Sequence, residues 1–149
     1  MYIGSYSISL DAKGRLAFPA KVRELLHADC HGQIVMTADA DETCLRIYTR
    51  PGWDVFMPKL VALPPGYKKV ERMQRLLLGF ANSMEIDEEN GRVTIPPTLR
   101  EFAGLEKKLM LVGRNKWFEL WSEENWSNYL VSSEGADDAP PELLKDLAL

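Results

Sequence analysis

The chain has 149 residues, 46% of them hydrophobic and 27% charged, enough for one domain or two small fused ones. Two cysteines are too few for a disulfide framework, and no apolar run approaches the roughly 20 residues of a membrane span. The net charge of −4 argues against indiscriminate binding to nucleic acid.

That average hides a gradient. Residues 1–50 carry six basic and six acidic side chains, residues 51–83 five and two, and residues 84–149 seven and fourteen. Any positive face is therefore local, in turns and in the middle segment. Residues 1–10 lack a basic start followed by a continuous apolar core, so no secretory signal is read there, and a cytoplasmic protein is expected.

The first predicted strand alternates Tyr6, Ile8 and Leu10 with Ser5, Ser7 and Ser9, the period of a half-buried strand. "DAKG" then turns the chain. Gly14 supplies the positive φ that such turns want, and Asp11 can accept from backbone N–H groups within it. Residues 15–18 form a short return strand. Pro19 suits the first turn of a helix, where a missing N–H costs little, and "AKVRELL" reads as that helix.

His27, Cys30 and His31 follow, with Cys44 further on. Zinc sites usually show two paired ligand clusters, and Cys44 has no partner beside it. No metal or other cofactor is expected. "QIVMTADADETCLRIYTRPGW" reads as strand, polar turn and second strand, with Thr49 capping a helix that carries Trp53.

The segment "KKVERMQRLLLGFANS" is a helix candidate. Val70, Met73, Leu76, Leu77 and Phe80 fall on one stripe, and Lys68, Lys69, Arg72 and Arg75 fall mostly elsewhere. It reads as a helix packed on a sheet with a solvated basic face.

Beyond it the first pattern returns. "GRLAFPAKVREL" (14–25) lies over "GRVTIPPTLREF" (91–102), with Gly, Arg, Pro, Arg and Glu coincident. "KLMLVGRNKWFELWSEENW" (108–126) matches residues 33–53, and Ser122 takes the place of Thr49 as an N-cap. The chain is thus two copies of one unit. The units are 1–67 and 84–131, joined by a connector helix at 68–83. A polar, acidic, flexible tail follows at 132–149, whose end, "PELLKDLAL", can form an amphipathic helix.

A two-stranded unit buries little alone. Two such units can pair about a pseudo-twofold axis and exchange strands, giving a small barrel with two Arg-bearing turns on one side. Arginine's planar fork suits phosphate oxygens and guanine edges, Lys13 adds a point charge beside Arg15, and turns bring backbone N–H groups near phosphates. The alternative is that Arg15 and Arg92 pair with Asp11 and Asp87 and simply hold the turns together.

"LDAKGRLAFPAKVRE", "ERMQRLLLGFA", "GRVTIPPTLREFAGL" and "LMLVGRNKWFELW", in this order and spacing, resemble the MraZ family of bacterial regulators from the division and cell-wall gene cluster. The resemblance runs from Tyr2 to about Val131. It implies an α+β fold: two tandem AbrB-like halves forming a pseudo-twofold swapped-hairpin (double-psi-like) β-barrel flanked by short helices. It implies a DNA-binding transcription regulator, a repressor of its own operon, that recognises direct repeats in double-stranded promoter DNA. It also implies a nucleoid-associated, ring-like homo-oligomer, an octamer or dodecamer, with no membrane or small-molecule partner.

The family motif, Asp-x-x-x-Arg once per half, falls on Asp11 and Arg15. The resemblance implies DNA contact by Arg15, Lys13 and Arg92, with Gly14 and Gly91 in the turns and Asp11 and Asp87 holding them. The second half departs from the motif, because "DEENGR" places Asp87 five residues before Arg92. Either Glu88 takes the acidic place or the turn is longer, and the preceding "MEI" favours the longer turn with Asp87 retained. Glu88 and Glu89 there repel phosphate, so the first turn is expected to contribute more to affinity.

Other classes are less well supported by the sequence. It shows no Gly-rich phosphate loop, no Ser-His-Asp order and no His-Glu metal pattern, so an enzyme is not expected. An AbrB-like protein-interaction or antitoxin-type module remains the alternative, although such a chain usually carries one barrel half. Trp53, Trp117, Trp121 and Trp126 are expected in packing rather than as stacking platforms for bases.

Overall fold

The computed structural model describes residues 1–147. The protein is α+β with antiparallel strands throughout. The first half comprises β1 (Ser5–Ser9), β2 (Arg15–Ala17), α1 (Ala20–Cys30), β3 (Gln33–Ala38), β4 (Leu45–Thr49) and α2 (Arg50–Val61). α3 (Lys68–Gly79) connects it to β5 (Asn82–Glu85), β6 (Arg92–Thr94), α4 (Pro97–Ala103), β7 (Lys108–Gly113), β8 (Phe118–Ser122) and α5 (Glu123–Val131). The second half therefore repeats the element order of the first.

The repeat is also visible in the pairing. Six strands form one sheet in the order β1-β7-β8-β4-β3-β5, and β2 pairs with β6 in a separate two-stranded ribbon. If each strand is exchanged for its counterpart in the other half, the six-strand order reads the same backwards. A pseudo-twofold axis thus passes between β4 and β8 and between β2 and β6. Each half lends its first strand to the other: β1 lies on β7, and β5 lies on β3.

The expected closed barrel is not what the strands form. β1 and β5 end the six-stranded sheet, and only the isolated bridge Leu10–Leu16 links β1 to β2. The reason lies across the halves: β2 pairs with β6 of the other half instead of extending the sheet, and Leu16 and Val93 of that ribbon pack into the sheet's core face.

Alternation along the strands sorts two layers. Ile34, Met36, Leu45, Ile47, Leu109, Leu111, Phe118 and Leu120 point to one face, where they pack with Leu16 and Val93 of the ribbon and Val22, Leu26 and Leu99 of α1 and α4. On the opposite face Val35 and Tyr48 meet Trp53, Phe56 and Trp117. Twenty such buried side chains in the larger cluster make it the main source of stability, at about 1.5–3 kcal/mol for each fully buried large aliphatic or aromatic group.

The capping residues read from the sequence are in place. Thr49 Oγ1 accepts from Gly52 N at 3.0 Å and Ser122 Oγ from Asn125 N at 3.0 Å. The tryptophans pack as expected: Trp53 against Tyr48 and Phe56, Trp126 against Trp121 and Tyr129. These two aromatic triads occupy matched positions of the repeat.

Two boundaries differ from expectation. The connector helix stops at Gly79 because Asn82 and Ser83 are captured by β3 as the start of β5. Thr37 Oγ1 donates to the Leu77 carbonyl at 2.7 Å and ties off that helix end. In the tail, Pro141–Leu143 and Lys145–Leu147 form short 3-10 turns instead of an amphipathic helix. Leu143, Leu144 and Leu147 remain exposed, so no packed face rewards the cost of helix nucleation. The last two residues of the expected helix lie outside the described residues.

Candidate functional site

The two turns flank the β2–β6 ribbon. In the ribbon Arg15 lies opposite Thr94 and Ala17 opposite Arg92. Leu16 and Val93 point into the core, so Arg15, Ala17, Arg92 and Thr94 share the outward face. Arg15 and Arg92 are diagonal neighbours there, a spacing of about 7–8 Å in the usual ladder geometry. The fold therefore brings together two arginines 77 positions apart in sequence.

The first turn is held mainly by Asp11. Its Oδ1 accepts from the backbone N–H of Lys13 and of Arg15, each at 2.9 Å, and its Oδ2 accepts from Arg15 Nε at 2.7 Å. Gly14 N–H donates to the Asp11 carbonyl, and Gly14 adopts φ 79°, the left-handed region that suits glycine. The Arg15 N–H bond and, behind it, the Arg15 side chain hold the Asp11 carboxyl below its ordinary range. Lys13 is exposed at the tip.

The ion pair uses only Nε of Arg15, and its terminal nitrogens make no hydrogen bond to the described residues. Asp11 thus holds Arg15 at Nε, while the side chain stays about one-third exposed.

The second turn is the longer variant. Asp87 N–H donates to the Arg92 carbonyl, and Gly91 N–H donates to the Asp87 carbonyl at 2.7 Å. Asp87 Oδ1 accepts from Glu89 N and its Oδ2 from Asn90 Nδ2. The Asn90 side chain is the leading cause that lowers the Asp87 carboxyl from its ordinary range. Asn90 has taken the contact that Arg15 makes in the first turn, and Arg92 forms no ion pair among the described residues. Glu88 and Glu89 are exposed beside it.

Two further arginines reach the turns, and the sequence reading did not single them out as site residues. A Cβ placed on Gly14 would stand 2.8 Å from Arg100 Cζ, and one on Gly91 would overlap Arg23 Cδ. Arg23 and Arg100 are matched positions of the repeat, each nine residues after its own turn glycine. Each lies on the turn of the other half. The overlay of the two halves contains both residues, but nothing local in it tells which turn they touch.

The outer face of the large sheet carries a second charged group. Asp39 accepts from Arg46 Nε, and Arg114 Nη1 donates to Glu119 at 2.9 Å. Arg46 stands opposite Glu119 in the β4–β8 register and lies over the Trp117 ring, 4.5 Å from its centre. Asp39 and Arg114 are matched in the repeat, as are Arg46 and Glu119, so the same ion pair recurs with its charges reversed. Four charges of alternating sign surround the pseudo-twofold axis.

Cys44 is buried beside them, with ligand atoms of Asp39, Cys44 and Glu119 mutually within 4.8 Å. The donor set does not suit a metal. Both carboxylates are already occupied, Asp39 by Arg46 and the backbone N–H groups of Asp41 and Glu42, Glu119 by Arg114 and Trp121. Burial, with Glu119 and Asp39 nearby, pushes the Cys44 thiol well above its ordinary range and keeps it neutral. Cys30 is separately buried and donates to the Leu26 carbonyl. His27 and His31 lie on the rim of a cleft between α1 and the second turn. Among the described residues, no helix is long and apolar enough to cross a membrane.

The sequence was compared with known proteins. Residues 1–76 and 77–146 each match the family model described as "MraZ protein, putative antitoxin-like", so the family's unit occurs twice. The chain is 53% identical to "Transcriptional regulator MraZ" of Marinobacter nauticus, with 95% of each chain covered. It is 49% identical to the protein of that name from Saccharophagus degradans, with 97% of each covered. It is 44% identical to that from Pseudomonas aeruginosa strain LESB58, over the whole of both.

Proposed function

The chain belongs to the MraZ family, and from that premise we propose that it is a sequence-specific DNA-binding transcription regulator. It acts in the cytoplasm on chromosomal DNA, binds direct repeats in the promoter of its own operon, and represses it. The observation that carries this reading is the shared outward face of Arg15 and Arg92, with Arg15 held at Nε and its terminal nitrogens unpaired among the described residues.

Phosphate contacts by arginine and lysine position a protein on DNA, and arginine forks also read guanine edges. Arg15, Lys13 and Arg92 are the contacting side chains in this proposal. Gly14 and Gly91 take the left-handed conformation that the turns need, and Asp11 and Asp87 hold the turns. The strand exchange between halves supports a swapped-hairpin origin for the fold, with the β2–β6 ribbon at its centre.

One chain with a few phosphate contacts binds weakly at physiological salt. A ring of eight or twelve copies would place several turns on successive repeats and raise the effective concentration of each further contact. The exposed apolar side chains Val55, Val61, Leu63, Tyr67 and Leu78, on α2, α3 and the link between them, support such self-association. Assembly also removes the need for a basic chain, since only the turn-bearing faces meet DNA.

The test is a fluorescence-anisotropy titration with the duplex upstream of the chain's own gene against a scrambled duplex, at several salt concentrations. Preference for the native duplex, steep salt dependence and loss in Arg15→Ala are expected. No preference for the native duplex would overturn the proposal and favour the protein-interaction module.

A further inference from the structure

We infer that Arg23 and Arg100 are positioning residues that brace the turns crosswise, each fixing the DNA-reading turn of the opposite half. This rests on the reading of the turns as the DNA-contacting elements. The observation behind it is steric. Gly91, at φ 63°, has its Cβ position filled by the Arg23 side chain, and Gly14, at φ 79°, has its own filled by Arg100. Both glycines are buried although they stand in otherwise exposed turns. The cover comes from these arginines.

Each arginine is anchored outside the turn that it covers. Arg100 leaves α4, and its Nε donates to the Ile95 carbonyl at 3.0 Å, while Ile95 N–H donates to the Gly14 carbonyl at 2.8 Å. α4, the end of β6 and the first turn therefore form one connected unit. On the other side Phe18 N–H donates to the Gly91 carbonyl at 2.9 Å, and Arg23 leaves the helix that follows. Arg23 also lines the cleft that holds Asp87 and Glu88 of the second turn.

The chemistry suits the task. A glycine with left-handed φ has many accessible conformations, and a turn built on it is loose unless something covers it. A guanidinium stem laid on the glycine excludes water and removes that freedom. Because the brace comes from the other half, neither turn is set by its own repeat alone. The separation of Arg15 from Arg92 is then a property of the pair of halves, which suits a surface that must match a fixed spacing on a polymer.

The test has an arm that needs no DNA. Hydrogen–deuterium exchange is followed on the full chain for peptides spanning each turn, in wild type, Arg23→Ala and Arg100→Ala. Arg23→Ala is expected to speed exchange across residues 87–92 by about tenfold, as expected for loss of local protection, with residues 11–15 at wild-type rates. Arg100→Ala is expected to do the reverse. Loosening of the same-half turn, of both turns equally or of neither overturns the inference. If an alanine variant fails to fold by its melting curve, Arg23→Met or Arg100→Met removes the guanidinium and keeps the stem. The same crossed pattern, weaker, is then expected, and its absence overturns the inference.

The second arm uses the native duplex. Losses for Arg23→Ala and Arg92→Ala are expected to be non-additive, as are those for Arg100→Ala and Arg15→Ala, whereas Arg23→Ala with Arg15→Ala adds. Additive losses in the crossed pairs overturn the brace. So does a further fall of about one in the salt slope when Arg23→Ala is added to Arg92→Ala, since that marks a direct phosphate contact. If wild type does not prefer the native duplex, the DNA reading fails, and the exchange arm still decides the brace.

Discussion

The two turns are expected to contribute unequally to DNA affinity, and the structure sets the size of the difference. Arg15 is ordered before binding by its Nε bond to Asp11, whereas Arg92 has no such partner. Immobilising a free side chain on binding costs about 0.5–1.5 kcal/mol, and Arg92 meets that cost at the moment of contact. Glu88 and Glu89 add two exposed negative charges on the second turn. A unit charge about 8 Å from a phosphate costs about 0.5 kcal/mol in water before screening. At physiological salt, with a Debye length of about 8 Å, about 0.2 kcal/mol remains for each. Together the two effects favour the first turn by about 1–2 kcal/mol, or about fivefold to thirtyfold.

The assay is anisotropy on a duplex bearing a single repeat, which keeps multivalency from masking single contacts. Arg15→Ala is expected to lose more affinity than Arg92→Ala at matched folding, by the ordering part of that difference, about twofold to twelvefold, since the two glutamates remain in both variants. Glu88→Gln with Glu89→Gln is expected to gain about fourfold at low salt and about twofold at physiological salt, as the same screened Coulomb estimate gives, and the gain should vanish at high salt. Equal losses for the two arginines, together with no gain from the double glutamine variant, would refute the reasoning.

Other perturbations test the frame around the turns. Arg46→Ala leaves Asp39, 4% exposed at the side chain, without its guanidinium partner. Breaking such a buried pair costs about 3–5 kcal/mol, which for a chain of this size lowers Tm by about 6–20 °C. Arg114, with 54% of its side chain exposed, should cost clearly less on truncation, and equal losses by calorimetry would contradict the alternating-charge account. Gly91→Ala strains a left-handed residue by about 1–2 kcal/mol and also displaces Arg23, so urea denaturation should show a larger loss than for Gly104→Ala, where φ is 60° and the nearest neighbour is 3.7 Å away. Thr49→Ala and Ser122→Ala each remove an N-cap and should cost about 1 kcal/mol, read in the same denaturation series. The carboxyls of Asp11 and Asp87 are both held below their ordinary range. Their hold on the turns is complete above the ordinary aspartate value of about 3.9 and is lost as pH falls through the lower folded values. Turn-amide exchange, corrected for its intrinsic pH dependence, should therefore stay flat from pH 8 to about 5 and rise only below about 3.9.

Much of this molecule was legible in its sequence because the signals act over a few residues. Gly14 and Gly91 mark turns because only a residue without Cβ takes their φ cheaply. Thr49 and Ser122 mark helix starts because their hydroxyls reach an N–H three residues on. The alternation of Tyr6 and Ile8 with serines marks a strand because its side chains point to opposite faces. The repeat was legible for the same reason, since each copy writes the same local signals in the same order.

Tertiary structure decided the rest. Whether β2 would stay in a barrel or leave the sheet depended on partners in the other half, as did the capture of Asn82 and Ser83 by β3 and the end of the connector helix. The reversed ion pairs Asp39–Arg46 and Arg114–Glu119 each close within one hairpin, but Arg46 comes to lie beside Glu119 only through the pairing of β4 with β8. Arg23 and Arg100 show the limit most clearly. They are conspicuous in the overlay of the two halves, yet each covers the glycine of the opposite half, about seventy residues or more away in the chain. Local propensity reaches one turn of helix or one strand pair, whereas such contacts come from packing the two halves face to face, where apolar burial and chain crossing choose among arrangements that local signals leave equal.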